Sequence, residues 1–216
     1  MAMFDWIYGL GQCPLCKERS TSAKGCCDSC AWTLEQSLRP KQTGFELTLG
    51  VYDGLLDQAI HAFKFNHVRR LHVLLAELLA QELAKVAYLG QHPSAAAGSV
   101  PWQIDVVCAV PLHWRRKLQR GYNQAELLAK AAADVRNLPY QSLLTRPERT
   151  QQQAKLDRNE RLANIAGAFV SEPLDGERVL LIDDVITTGA TTTECALALF
   201  EAGAKCVYTA GLARAA

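Results

Sequence analysis

Apolar positions recur with two different periods along the chain. Leu56, Ala59, Ile60 and Phe63 fall at i, i+3, i+4 and i+7, and Leu71, Leu74, Leu75 and Leu78 repeat that spacing. Each set occupies one face of a helix, so the pattern predicts two amphipathic helices in succession. Just before them, residues 46–52 read as a strand closed by a turn at Asp53-Gly54. From Ile104 onward the texture changes to short apolar runs: Ile104 to Val110, Val179 to Ile182 and Lys205 to Leu212. Runs of this kind are expected of strands covered on both faces. Helices are predicted between them. One starts at Asn123 as N-cap, with Glu126 at capping-box spacing and a stripe of Ala125, Leu128, Ala129, Ala132 and Val135. Another covers about residues 191–202 and ends at Gly203, a left-handed stop. Residues 141–145 are a short strand candidate. Alternating strands and helices predict an α/β domain with a parallel sheet. Residues 90–103 and 146–164 carry no apolar period and read as loops.

Composition sharpens this picture. Hydrophobic residues make up 49% and charged residues 21%, which supplies enough apolar material for a packed core and excludes a disordered chain. No apolar run reaches the ~18 residues of a membrane span. The first eleven residues lack a basic start and contain Asp5, so no secretory leader is read and a cytoplasmic location is expected. The net charge of +1 argues against a broad polyanion-binding surface. It is unevenly spread, because residues 113–161 hold eleven Lys/Arg against five Asp/Glu. A local basic stretch in a near-neutral protein suits a small anion.

Five of the eight cysteines lie at Cys13, Cys16, Cys26, Cys27 and Cys30. Cys13-Pro-Leu-Cys16 and Cys27-Asp-Ser-Cys30 are two C-x2-C knuckles. Each can point two sulfurs at one ion, and two knuckles complete the tetrahedron of thiolates that Zn²⁺ favours. With four protein ligands the site would be structural. Redox thiols and an iron–sulfur cluster are the competing uses, and Cys26 could replace its neighbour Cys27. Residues 1–41 carry five Lys/Arg and four acids. A zinc tetrathiolate adds about −2, so phosphate attraction is a poor explanation for this unit.

The segment Val179-Leu-Leu-Ile-Asp183-Asp184-Val-Ile-Thr187-Thr188-Gly189-Ala190-Thr191 carries the most chemistry. It reads as a buried strand, two carboxylates at its carboxyl end, a hydroxyl-rich turn and the start of a helix. Ligands of open α/β sheets bind at that edge. Backbone N–H groups, threonine hydroxyls and a helix N-terminus can surround a phosphate, and Gly189 lets the chain approach it closely. The carboxylates just upstream suit vicinal hydroxyls and a metal-bridged group. A phosphate beside a ribose diol is a sugar 5-phosphate.

This run resembles the 5-phosphoribosyl-1-pyrophosphate (PRPP) signature of type I phosphoribosyltransferases. The wider pattern is similar to the ComF family (ComFC and GntX-like proteins) over essentially the whole chain. That pattern comprises the cysteine knuckles, Pro111, Arg120-Gly-Tyr-Asn-Gln124, then Arg146, Thr150, Gln153, Leu156, Arg161, Asn164, Ala168 and Phe169, and finally the signature.

The resemblance implies a type I phosphoribosyltransferase fold, with a parallel sheet flanked by helices and a small N-terminal four-cysteine zinc ribbon. Residues 1–41 would be the ribbon and residues 42–216 the phosphoribosyltransferase-like domain, with a hood at about 45–90 and a core at about 104–216. Thr187, Thr188, Gly189, Ala190 and Thr191 would hold the 5-phosphate. Asp183 and Asp184 would take the ribose hydroxyls, directly or through Mg²⁺-bound water, and would be the catalytic pair. Pyrophosphate would be held by the loop at 111–121, where Arg116 and Arg120 are favoured among Arg115, Arg116, Lys117 and Arg120. Residues 146–164 would be a mobile catalytic loop offering Arg149, Lys155, Arg158 or Arg161. The family is associated with uptake of single-stranded DNA in natural competence. That implies PRPP as ligand, a DNA-translocating ATPase as partner and, at most, weak single-stranded DNA binding. The alternative is an active Mg²⁺-dependent phosphoribosyltransferase of nucleotide or related metabolism. A transcriptional regulator is disfavoured, since no helix-turn-helix with a basic recognition helix is visible.

Overall fold

The structure is a computed structural model that describes residues 12–18, 22–65, 68–89, 102–112, 121–147 and 168–215. Its centre is a five-stranded sheet built from β1 (Lys41–Thr43), β2 (Glu46–Thr48), β3 (Val106–Ala109), β6 (Arg178–Ile182) and β8 (Cys206–Gly211). The spatial order is β1-β2-β8-β6-β3. The β2–β8, β8–β6 and β6–β3 pairs are parallel, and only β1 runs antiparallel to its neighbour. Two small ribbons flank the sheet. One pairs β4 (Leu144–Thr145) with β5 (Val170–Ser171), the other β7 (Val185–Ile186) with β9 (Ala213–Arg214).

The unbroken apolar runs are explained by packing on both faces. Val107, Ala109, Leu180, Ile182, Tyr208 and Ala210 point toward α2 (Gly54–Phe65), α3 (Leu71–Leu89) and α4 (Gln124–Arg136). Val106, Cys108, Val179, Leu181 and Val207 point the other way, against Cys195, Ala198 and Leu199 of α5 (Ala190–Glu201). Alternate residues of one strand therefore enter opposite cores, as the two-residue period of a strand requires.

The two amphipathic helices form as the spacing predicts, with Leu56, Ala59, Ile60 and Phe63 all buried in α2. Asn123 caps α4, accepting a hydrogen bond from the Ala125 amide at 3.1 Å. Glu126 pairs along the helix with Lys130 at 2.6 Å. Val135 departs from the predicted stripe and is exposed, while Ala133 is buried. Three residues advance a helix by less than a full turn, so a stripe read in threes drifts off the core face.

The strand predicted over 46–52 stops at Thr48, because the chain then changes partners. The Leu49 amide donates to Leu212 O at 3.2 Å, and Tyr52 to Arg214 O at 2.9 Å. Of the candidate strand at 141–145, Leu144–Thr145 pairs with β5, while the Gln141 amide donates to Val107 O at 2.9 Å beside β3.

The start of β3 is clamped to β6. Arg178 donates to both carboxylate oxygens of Asp105, at 2.8 and 2.7 Å. Those hydrogen bonds hold the Asp105 carboxyl down at about 2.

The cysteine-rich unit ends in α1 (Asp28–Ser37) and packs directly on the rest of the chain. Cys13, Cys26 and Leu34 share a core with Leu71 and Leu75. Gly25 has φ 84°, and a Cβ there would lie 2.7 Å from the Leu71 nitrogen, so only glycine fits this contact. Lys24 Nζ pairs with Glu77 Oε2 at 2.5 Å. Among the described residues, no helix is long and apolar enough to cross a membrane.

Candidate functional site

Cys13, Cys16, Cys27 and Cys30 come together, with their sulfurs all within 4.8 Å of one another. Cys16 Sγ and Cys27 Sγ are 3.6 Å apart. A tetrahedron with Zn–S bonds of about 2.3 Å places its sulfurs about 3.8 Å apart. The cluster therefore fits a metal ion such as zinc. Burial works against the Cys13 thiolate, but hydrogen bonds from the Cys16 and Cys27 backbone outweigh it and hold the thiol down at about 7. Cys26 lies outside the cluster. It is fully buried, and that burial pushes its thiol up to about 11. The choice between Cys26 and Cys27 is thus made by the turn, which aims Cys27 at the other sulfurs and Cys26 into the core.

The second site forms where β6 ends. The Asp183 amide donates to Ala210 O at 3.0 Å, keeping the chain in register with β8 one residue past the strand. Asp183 Oδ1 then accepts the Asp184 amide at 2.8 Å, and Asp184 Oδ1 accepts the Val185 amide at 2.6 Å. Each carboxylate is oriented by the next peptide. The turn is pinned from behind, since Leu212 donates to Asp184 O at 3.1 Å and Ala215 to Ile186 O at 3.0 Å.

After β7 the chain bends through Thr187 and Thr188 to Gly189, which stands at the N-cap of α5 with φ 80°. That conformation is strained for a residue with a Cβ. The Thr188 hydroxyl oxygen accepts the Ala190 amide at 3.3 Å. Thr192, which the sequence reading passed over, donates its buried hydroxyl to Gly189 O at 2.9 Å and closes the turn.

The turn borders a cavity of about 440 Å³ through Asp183, Asp184, Val185, Thr187 and Thr191, while Thr188, Gly189, Ala190 and Thr192 lie outside that wall. The volume is that of a small-molecule site. Asp183, Asp184, Thr187 and Thr191 form one side. Val110, Pro111 and Leu112 from the end of β3, and Asn123 and Ala125 at the start of α4, form another. Asn123 donates from Nδ2 to Val110 O at 3.0 Å and so ties those two walls together. Tyr52 and Lys64 close the cavity from the predicted hood, and Arg146 and Ala215 complete it.

Burial, and then the neighbouring Asp184 charge, push the Asp183 carboxyl up to about 7. The Tyr52 phenol is also raised, first by burial and then by its hydrogen bond to Asp57. Lys64 Nζ lies 3.1 Å from Asp184 Oδ1. Two carboxylates at one strand end offer the oxygen donors that a hard cation such as Mg²⁺ takes.

The structure thus brings Asp183, Asp184, Thr187, Thr188, Gly189, Ala190 and Thr191 to one strand-to-helix turn. Arg116 and Arg120 lie outside the described residues, as do Arg115, Lys117, Arg149, Lys155, Arg158 and Arg161. Sequence reasoning missed Tyr52 and Lys64. A lysine on an amphipathic helix gives no signal of its own, because a solvated face carries lysine as readily as a site does.

No model of a known protein family matches the chain. Individual proteins do. It is 29% identical over 225 residues to DNA utilization protein YhgH of Escherichia coli K12, covering 99% of this chain and 93% of that protein. It is 34% identical over 176 residues to competence protein F of Haemophilus influenzae, covering 77% and 71%. It is 30% identical over 207 residues to competence protein ComFC of Streptococcus pneumoniae, covering 95% and 82%. Among solved structures, the glutamine PRPP amidotransferase of B. subtilis aligns with a TM-score of 0.41 at 22% identity, over 64% of this chain and 26% of that one. By its similarity to competence protein F and to ComFC, over most of the length of each, the chain belongs to the ComF family.

Proposed function

We propose that the cavity binds PRPP together with Mg²⁺. The observation that carries this reading is the strand-to-helix turn, with two oriented carboxylates at the end of β6 and a threonine-rich bend at the N-terminus of α5. The bend would hold the 5-phosphate through the amides of 187–191 and the hydroxyls of Thr187, Thr188 and Thr191. Asp183 and Asp184 would take the ribose hydroxyls and the hydrated Mg²⁺, whose charge would neutralise the pyrophosphate. Arg116 and Arg120 are the candidates for the remaining pyrophosphate charge. Zn²⁺ in the four-cysteine cluster would be structural, since all its positions are filled by protein.

Relatives carry the names DNA utilization protein and competence protein. With the family resemblance, those names support a cytoplasmic role in the uptake and processing of single-stranded DNA. The partner would be a DNA-translocating ATPase, with direct DNA contact weak and salt-sensitive. Calorimetry with Mg²⁺ and millimolar PRPP is the test. Binding heat and a raised melting temperature are expected, both lost in Asp183→Asn/Asp184→Asn and in Gly189→Val. No heat and no melting shift in the unmodified protein would defeat the assignment.

A second reading, an active phosphoribosyltransferase without a role in DNA uptake, is favoured by the walls that Tyr52 and Lys64 add. They extend the cavity from the turn toward α2, where an acceptor could sit. Pyrophosphate release from PRPP in the presence of nitrogenous acceptors would establish it.

A further inference from the structure

Lys64 crosses from the hood to the acidic turn. Its ammonium lies 3.1 Å from Asp184 Oδ1, and the two side chains are only 13% and 16% exposed. The same oxygen accepts the Val185 amide at 2.6 Å. Asp184 is therefore held by a backbone donor and a cation at once, in a place where water screens their attraction poorly. A divalent cation drawn to this carboxylate would meet the ammonium within a few ångströms. Two cations in a poorly screened cavity repel, and the flexible four-carbon stem of lysine lets the weaker competitor leave.

We propose that Lys64 is the cavity's own counter-ion, and that a divalent cation entering the site displaces it from Asp184. The proposal rests on reading the acidic turn as a metal-assisted site. It adds that the hood helix α2 is tied to the turn before the cation arrives and released afterwards. The released ammonium remains at the cavity wall, where it can meet an anionic group of the incoming ligand.

The test uses the full-length, metal-loaded protein and Mn²⁺ alone, followed at pH 8 by the electron paramagnetic resonance signal of the free ion. Mn²⁺ prefers oxygen donors and does not replace zinc among thiolates. Lys64→Met should bind Mn²⁺ about tenfold more tightly than the unmodified protein, because a repelling charge has gone. Lys64→Arg, which keeps the charge, should stay within about threefold of it. Asp184→Asn should bind more weakly, and adding Lys64→Met to it should bring a clearly smaller gain, because only the general repulsion and not the Lys64–Asp184 pair is then removed. Circular dichroism of each variant shows that the fold is retained.

Mn²⁺ affinity in Lys64→Met no higher than in the unmodified protein overturns the proposal. So does an equal gain in the Asp184→Asn background. Calorimetry of Mg²⁺ and PRPP on the same samples separates this proposal from the ligand assignment. A Lys64→Met gain without PRPP binding keeps the counter-ion and removes PRPP. PRPP binding without that gain does the reverse.

Discussion

Asp183 concentrates the electrostatics of the cavity. Its folded-state value of about 7 lies above the roughly 3.9 of an exposed aspartate. The folded chain therefore holds an extra proton between those values. The associated stability is fully present below about pH 4 and is lost as the pH rises through about 7. Asp183→Asn removes the dependence. In thermal melts without divalent cation, the variant should match the unmodified protein near pH 4 and melt higher at pH 8. Equal melting at pH 8 would mean that the carboxylate is not pressed by its surroundings. Asp183, Asp184 and the threonines were legible in the sequence because their order along the chain is the order of the turn itself. Lys64 and Tyr52 were not, because they reach the cavity from elements more than a hundred residues upstream.

At the scale of elements, the long helices and buried strands were readable, and β2 and β4 lay inside predicted strands, but β1, β5, β7 and β9 were not foreseen. β5, β7 and β9 are too short to show a period and exist because a partner strand presents itself. The strand expected at 46–52 forms over 46–48 and then ends for the same reason in reverse, since residues 49–52 leave the main sheet to run beside 212–214. The cap of α4 was readable from Asn123 with Glu126 three residues on, and the structure gives Asn123 a second task. Its Oδ1 caps the helix and its Nδ2 holds Val110 O at the cavity wall. Asn123→Ala removes both bonds and should cost about 1–2 kcal/mol in denaturant unfolding. The position sits at 9% exposure, so water cannot take over. Asn123→Asp keeps the cap and loses the tie to Val110, and should fall between the two.

Over the whole molecule, the cysteine-rich unit was readable as a composition change, but its attachment was not. Gly25 seated on Leu71, and Cys13, Cys26 and Leu34 in the common core, join the cluster to α3. α3 in turn packs with α4, whose N-terminus walls the cavity. Metal loss should therefore lower the melting of the entire chain. Cys16→Ser, or chelation at elevated temperature, should give one earlier transition with loss of the metal. Two transitions, with the later one unmoved, would show the cluster to be thermally independent. The sheet order also has a consequence in time. β8 lies between β2 and β6. Until residue 211 has been made, the growing chain holds two unjoined fragments of sheet, the mostly polar hairpin β1–β2 and the apolar pair β6–β3. Pairings this distant along the chain form slowly, and unjoined apolar fragments invite aggregation. A chain stalled short of β8 would therefore leave each fragment with an open edge that its own later residues have yet to cover.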